Sequence, residues 1–196
     1  MAPVCAIAGN GSQLARHLVA LLETAGWEIA GVDKDDYDLT DLAAAQRWAD
    51  SLEHVDALVH LVGGWRGGAL IDETPEDDLA VLDALLVRTV QNTTRAFAAK
   101  LRASGGRFVL VSSKQAQAPD AKNAAYAASK AYAETWTLAF ARDLGEHGGA
   151  ANVVVVNAIG DDKPSFTPAA HVAAAIARLL SEEGSRVNGQ RVSLHG

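Results

Sequence analysis

Val4-Cys-Ala-Ile-Ala8, a short apolar run, passes directly into Gly9-Asn10-Gly11-Ser12. A stretch from Gln13 to Ala25 with apolar residues at helical spacing follows. This order constrains the fold more than any other feature of the chain. A short apolar run that ends in glycines predicts a buried strand. The glycines let the backbone turn where a side chain would collide. A helix opening straight after such a turn aims its free backbone N–H groups across the strand end, a geometry suited to a pyrophosphate. A second apolar segment, Trp27 to Val32, ends in Asp33, twenty-four residues after Gly9. A carboxylate at the tip of the second strand is placed to bind an adenosine ribose hydroxyl and to repel a 2′-phosphate. NAD(H) is therefore preferred, while Lys34 beside the carboxylate keeps NADP(H) admissible.

The alternation continues to the end of the chain. Strands are predicted near 4–8, 28–33, 57–62, 107–112, 152–159 and 191–194, and helices near 12–25, 41–52, 75–103, 123–145 and 168–182. Thr74-Pro75 and Thr167-Pro168 each read as an N-cap followed by Pro at the first helical position. Gly26, Gly105 and Gly145 fall where helices should stop. Strict alternation implies a doubly wound parallel sheet with helices on both faces, a three-layer α/β Rossmann fold. Ligands of such a sheet bind beyond the carboxyl ends of the strands, where Gly9, Asp33, Gly63 and Ser113 all fall.

Composition restricts the rest. A length of 196 residues suits one domain, 1–196, with a good core. A net charge of -7 argues against nucleic acid or an anionic membrane as the main partner. The single cysteine, Cys5, lies in the first apolar run and reads as a core residue. The histidines show no metal-ligand spacing, so no metal is expected. No signal peptide and no run of membrane-spanning length is visible, and a cytoplasmic protein is expected.

Tyr126-Ala-Ala-Ser-Lys130, with Ser113 thirteen residues upstream, carries the chemistry. On a helix, Tyr126 and Lys130 lie one turn apart on the same face. A nearby ammonium favours the phenolate and lowers the phenol's pKa, so that the tyrosine can act as a general acid or base. A serine hydroxyl beside it can hold a substrate oxygen, with Ser112 as a stand-in for Ser113. Alone the motif is weak; it gains weight because a dinucleotide-binding half precedes it in the right order.

With these parts in order, the chain resembles the short-chain dehydrogenase/reductase family over nearly its whole length. Gly9 to Ala15 sits where the family has its glycine-rich turn, so the resemblance implies cofactor contacts at Gly9, Asn10, Gly11, Gln13 and Leu14. Asp38-Leu39 looks like the pair that family members place against the adenine. His60-Leu-Val62-Gly63 falls at the Asn-Asn-Ala-Gly segment after the family's fourth strand, and Gly64 follows it. Ser113, Tyr126 and Lys130 match the catalytic Ser, Tyr and Lys, with Lys130 also expected to hold the nicotinamide ribose. Val187-Asn-Gly189-Gln, through to Gly196, looks like the family's last strand.

The departures from the family pattern carry expectations of their own. Gln13 and Ala15 replace the second and third glycines of the turn, and a side chain at Gln13 crowds the approach to a pyrophosphate. The family's helix Asn falls near Leu86. Asn157-Ala-Ile-Gly160 replaces a Pro-Gly. The segment from Gly160 to Thr167 is far shorter than the usual substrate loop, so the pocket is expected to be open on that side.

Val62-Gly-Gly-Trp65-Arg-Gly-Gly68 is similar to the corresponding loop of dihydropteridine reductases, a branch of the same family. Trp65 then either stacks on a flat heterocycle as a substrate contact or tucks onto its own domain. Tyr132, Trp136 and Phe140 recur every four residues, on a stripe rotated away from Tyr126. The resemblance implies a homodimer or larger homo-oligomer through the helices near 75–103 and 123–145. It implies an NAD(H)-dependent oxidoreductase that transfers hydride to a carbonyl or a quinonoid, imine-like small molecule. The alternatives are a broad carbonyl reductase and a catalytically weak dinucleotide-binding regulator or partner protein.

Overall fold

The computed structural model describes residues 1–194, and His195 and Gly196 of the last-strand motif lie outside the described residues. Among the described residues six parallel strands form one sheet. They are β1 (Val4–Ala8), β2 (Glu28–Val32), β3 (Ala57–His60), β4 (Arg107–Ser113), β5 (Ala150–Val156) and β6 (Arg191–Ser193). The helices are α1 (Gln13–Thr24), α2 (Leu42–Asp50), α3 (Glu76–Leu82), α4 (Thr89–Ser104), α5 (Ala124–Gly145) and α6 (Ala169–Leu180). The spatial order is β2-β1-β3-β4-β5-β6. Strand β1 pairs with β2 on one side and β3 on the other, so the winding direction reverses there and a crevice opens at the strand tips.

Successive strand residues point to opposite faces. Ala6, Ala8, Leu58, Phe108, Leu110 and Val153 join Trp48, Phe97 and Leu144 in the layer formed with α2, α4 and α5. Cys5, Ile7, Val59, Val109 and Val154 join Leu18, Leu22, Val172 and Ile176 in the layer formed with α1 and α6. Every residue of β1, β3 and β5 is buried, as a parallel sheet covered on both faces requires. The fold is the predicted three-layer Rossmann fold. Cys5 is fully buried, and burial pushes its thiol pKa up. Among the described residues no helix is long and apolar enough to cross a membrane.

The structure corrects several local expectations. The helix predicted over 75–103 is broken in register: a π-helical segment, Asp83–Arg88, joins α3 to α4. Its wider turn adds a residue, and Thr89 and Thr93 beyond it are buried against the sheet. Thr74 and Thr167 do not cap helices. Pro75 and Pro168 occupy the N-cap positions, while the threonine hydroxyls donate to the carbonyls of Leu70 and Leu194. Gly145 is the last residue of α5, and the left-handed turn after it is made by Gly148, with φ +77°. Strand β5 starts at Ala150 and ends at Val156, because Ala150 already pairs with Arg107 and Val156 with Ser113.

Candidate active site

The turn after β1 is shaped by close approach. Gly9 has φ +87°, and a β-carbon there would sit 2.9 Å from the Val62 nitrogen. The N–H groups of Gly9 and Asn10 both donate to the Val32 carbonyl at 3.0 Å. The Asn10 side chain lies where Gly31 has no β-carbon, and its buried Oδ1 has no hydrogen-bond partner. Asn10 thus braces the turn against β2 and does not line the cavities described below. Ser12 caps α1 by accepting from the Ala15 N–H at 3.0 Å.

The Asp33 carboxylate follows β2 and lies against Gly11. Its Oδ1 accepts from the Lys34 N–H at 3.0 Å, while its own N–H donates to Asp36 Oδ2 at 2.8 Å. The Lys34 ammonium pairs with Asp35 at 2.7 Å and is also within the field of Asp33. Asp38 Oδ1 accepts from the Thr40 N–H and hydroxyl, which holds its carboxyl below the usual range. A cavity of about 300 Å³ is lined by Gly9, Gly11, Asp33, Asp38, Leu39, Val62 and Gly63. Tyr37, Leu85 and Thr89 also line it, and sequence reasoning missed them.

A larger cleft of about 960 Å³ adjoins this cavity, sharing Ser12, Leu61, Val62 and Gly63. It brings together Gln13, Leu14, Gly64, Trp65, Ser113, Tyr126 and Lys130. Ser113 ends β4 and is buried; Tyr126 is half-buried in the first turn of α5, and Lys130 is buried one turn on. Ser112 lines the same cleft, with its buried hydroxyl unpartnered.

The electrostatics differ from the expected lowering of the phenol by lysine. Burial pushes the Tyr126 phenol up, and a hydrogen bond with Ser113 opposes this. Lys130 Nζ donates to the Val111 carbonyl at 3.1 Å and lies 6.0 Å from the Tyr126 ring centroid. Burial lowers the Lys130 pKa to about 8, against the pull of the Glu134 carboxylate. Glu134 is itself buried and accepts from Arg191 Nε at 2.6 Å. His60, at the tip of β3, lies between the hydroxyls of Thr89 and Thr93 at 3.1 and 3.2 Å. Its pKa is lowered to about 3 by burial and by Lys130.

The short segment after β5 is pinned rather than loose. Ile159 and Thr167 form a parallel bridge, and the Asn157 side chain donates to the Ser165 carbonyl at 2.9 Å. Ile159, Lys163 and Phe166 edge the cleft on this side. Gln13 Nε2 reaches across to Asp161 Oδ2 at 3.3 Å and ties the start of α1 to this segment.

Comparison with known proteins bears on the fold and the family. No curated protein matches the chain. A blue fluorescent protein from a metagenomic library, solved with NADPH, is 23% identical, with a TM-score of 0.87 over 99% of this chain and 96% of that one. A 3-ketoacyl-(acyl-carrier-protein) reductase from Brucella melitensis, solved with NADH, is 19% identical, with a TM-score of 0.87 over 98% of this chain and 96% of that one. Sorbitol-6-phosphate 2-dehydrogenase from Erwinia amylovora is 18% identical, with a TM-score of 0.89 over 98% of both chains. These likenesses establish the fold. The family model for short chain dehydrogenases matches residues 2–163, and with that match the chain belongs to the short chain dehydrogenase family, as an NAD(P)-dependent oxidoreductase.

Proposed function

We propose that this chain is an NADH-dependent reductase of a carbonyl or a planar quinonoid, imine-like small molecule. The observation that carries the reading is the shared cleft: Ser113, Tyr126 and Lys130 face the Gly63–Trp65 loop in one cavity that adjoins the cavity at Asp33. The two cavities fit an extended dinucleotide. Gly9 and Gly11 leave room for close backbone approach, and Asp33 and Asp38 stand at the far end. When bound, the nicotinamide supplies the hydride.

The protein's own residues supply the proton. Ser113 orients the substrate oxygen or nitrogen. Tyr126 gives its proton to that atom as negative charge develops there. A buried phenol with a raised pKa carries its proton at neutral pH, the form that a reduction needs. Lys130 supplies positive charge beside the resulting phenolate and a donor for the nicotinamide ribose.

The preference for NADH rests on the acidic run at the end of β2. Asp33, Asp35, Asp36 and Asp38 surround Lys34, whose ammonium is engaged by Asp35. The Arg16 guanidinium rests on the Gly11 carbonyl but lies outside the cavity lining. A 2′-phosphate would meet net negative charge here. Similar folds have been solved with either NADPH or NADH, so the proposed preference rests on this local charge alone.

The preference for planar substrates rests on Trp65, an indole 57% exposed in the lining of the cleft, where it could stack on a flat ring. A second copy of the chain packing on α4 and α5 belongs to the same reading. Tyr132 stacks on Trp136 there with ring centroids 6.1 Å apart, beside an open groove that Trp136 lines. Light scattering on the purified protein tests it. The functional reading is tested by following NADH oxidation with quinonoid dihydropterin, quinones and simple ketones. Turnover of a planar substrate supports it, and NADPH outperforming NADH, or no turnover with any of them, contradicts it.

A further inference from the structure

Trp65 sits in a glycine-rich loop, where a side chain this large would ordinarily sample several rotamers. Here its indole Nε1 donates to Asn123 Oδ1 at 3.0 Å. The Asn123 carboxamide is itself oriented, because Nδ2 donates to Asp120 Oδ2 at 2.6 Å. Asp120 is oriented in turn: its Oδ1 accepts from the Lys122 N–H at 3.0 Å and its Oδ2 from Gln115 Nε2 at 2.9 Å. Gln115 Oε1 accepts from the Asp120 N–H at 3.0 Å, and the Gln115 N–H donates to Ser113 Oγ at 3.3 Å. Hydrogen bonds through Gln115, Asp120 and Asn123 therefore link Ser113 to Trp65.

Gly67 makes room for the last link. A β-carbon there would lie 2.3 Å from Asn123 Oδ1 and 3.0 Å from Trp65 Cζ2. The loop is held to the same segment by the Gly68 N–H, which donates to the Lys122 carbonyl at 2.7 Å. Asn123 adjoins the start of α5, three residues before Tyr126. The acceptor that fixes Trp65 thus immediately precedes the helix that carries the proton donor.

We infer that Asn123 is a positioning residue that clamps Trp65 as a fixed wall of the substrate cleft, so that specificity for planar substrates depends on Asn123 as well as on the ring it holds. This rests on the functional reading above for its substrate class, but not for the clamp itself. A fixed wall spares the substrate the cost of immobilising a rotamer-rich side chain, which corresponds to about two- to tenfold in binding. An unclamped indole would give that factor back.

The clamp is tested in nitrogen-labelled protein, where the Trp65 indole N–H signal is the one missing from Trp65→Phe. In Asn123→Ala and in Gly67→Ala this signal should shift, and its exchange with water should accelerate about tenfold or more. With phenanthrenequinone as the planar probe, KM, or Kd from fluorescence quenching, should rise by about two- to tenfold in both variants with kcat held. Trp65→Ala/Asn123→Ala should be no weaker than Trp65→Ala alone. Unchanged indole exchange in Asn123→Ala overturns the inference, as does an equal loss on removing Asn123 when Trp65 is already gone. A parent protein that neither reduces nor binds the quinone contradicts the functional reading and its substrate class, while the indole exchange still decides the clamp.

Discussion

A β-carbon on Gly11 would sit 2.1 Å from Asp33 Oδ2, so the carboxylate after β2 rests directly against the glycine turn after β1. The Gly11 backbone lies outside the left-handed region, so alanine is allowed there and the carboxylate is what must move. Gly11→Ala should therefore act like an Asp33 variant. Both Gly11→Ala and Asp33→Ser should weaken NADH about tenfold or more, the scale of a lost hydrogen bond to a charged group, with NADPH much less affected. Fluorescence titration of both dinucleotides checks this. Tighter binding of NADPH than NADH by the parent protein would show that Asp33 is misread.

Gly9 is constrained in a different way. Its φ of +87° strains any other residue, and the Val62 backbone leaves no room for a β-carbon. Gly9→Ala should lower stability by about 1–3 kcal/mol, visible as an earlier urea midpoint. An unchanged midpoint would mean that the turn relaxes freely and does not lock β1 to β3.

His60 makes stability depend on acid. Its folded pKa of about 3 lies below the ordinary 6.5, because the neutral ring is buried between Thr89 and Thr93 and faces the charge on Lys130. Between these values the unfolded chain takes up a proton that the folded chain does not. Stability should therefore fall as pH drops from 6.5 toward 3, while this contribution stays constant above 6.5. His60→Gln should flatten the slope in that window by up to about 1.4 kcal/mol per pH unit. Denaturant melts of parent and variant from pH 7 to 4 measure it, and parallel curves would rule His60 out.

Much of this architecture is legible in the residues because it rests on backbone demands. Gly9 and Gly11 are needed where the chain passes Val62 and Asp33, and the spacing of Tyr126 and Lys130 is one helical turn. The misreadings arise where side chains chose partners far along the chain. Thr167 prefers the Leu194 carbonyl, 27 residues on, to the helix beside it. Helical periodicity does not report the π-helical turn, nor the contacts that Thr89 and Thr93 beyond it make with His60 of another element. Asn123 falls at the first position of the helix predicted near 123–145, with nothing to mark it out; its role follows from Trp65, 58 residues earlier.

In the proposed reduction Tyr126 delivers the proton, and the Tyr126→Phe variant isolates that step. The variant keeps the ring in α5 and removes only the hydroxyl that bonds Ser113. Turnover of NADH with the best planar substrate should fall by about 10²-fold or more, while the NADH dissociation constant and the melting temperature stay near those of the parent. Equal turnover in variant and parent would mean that Tyr126 is not the proton donor.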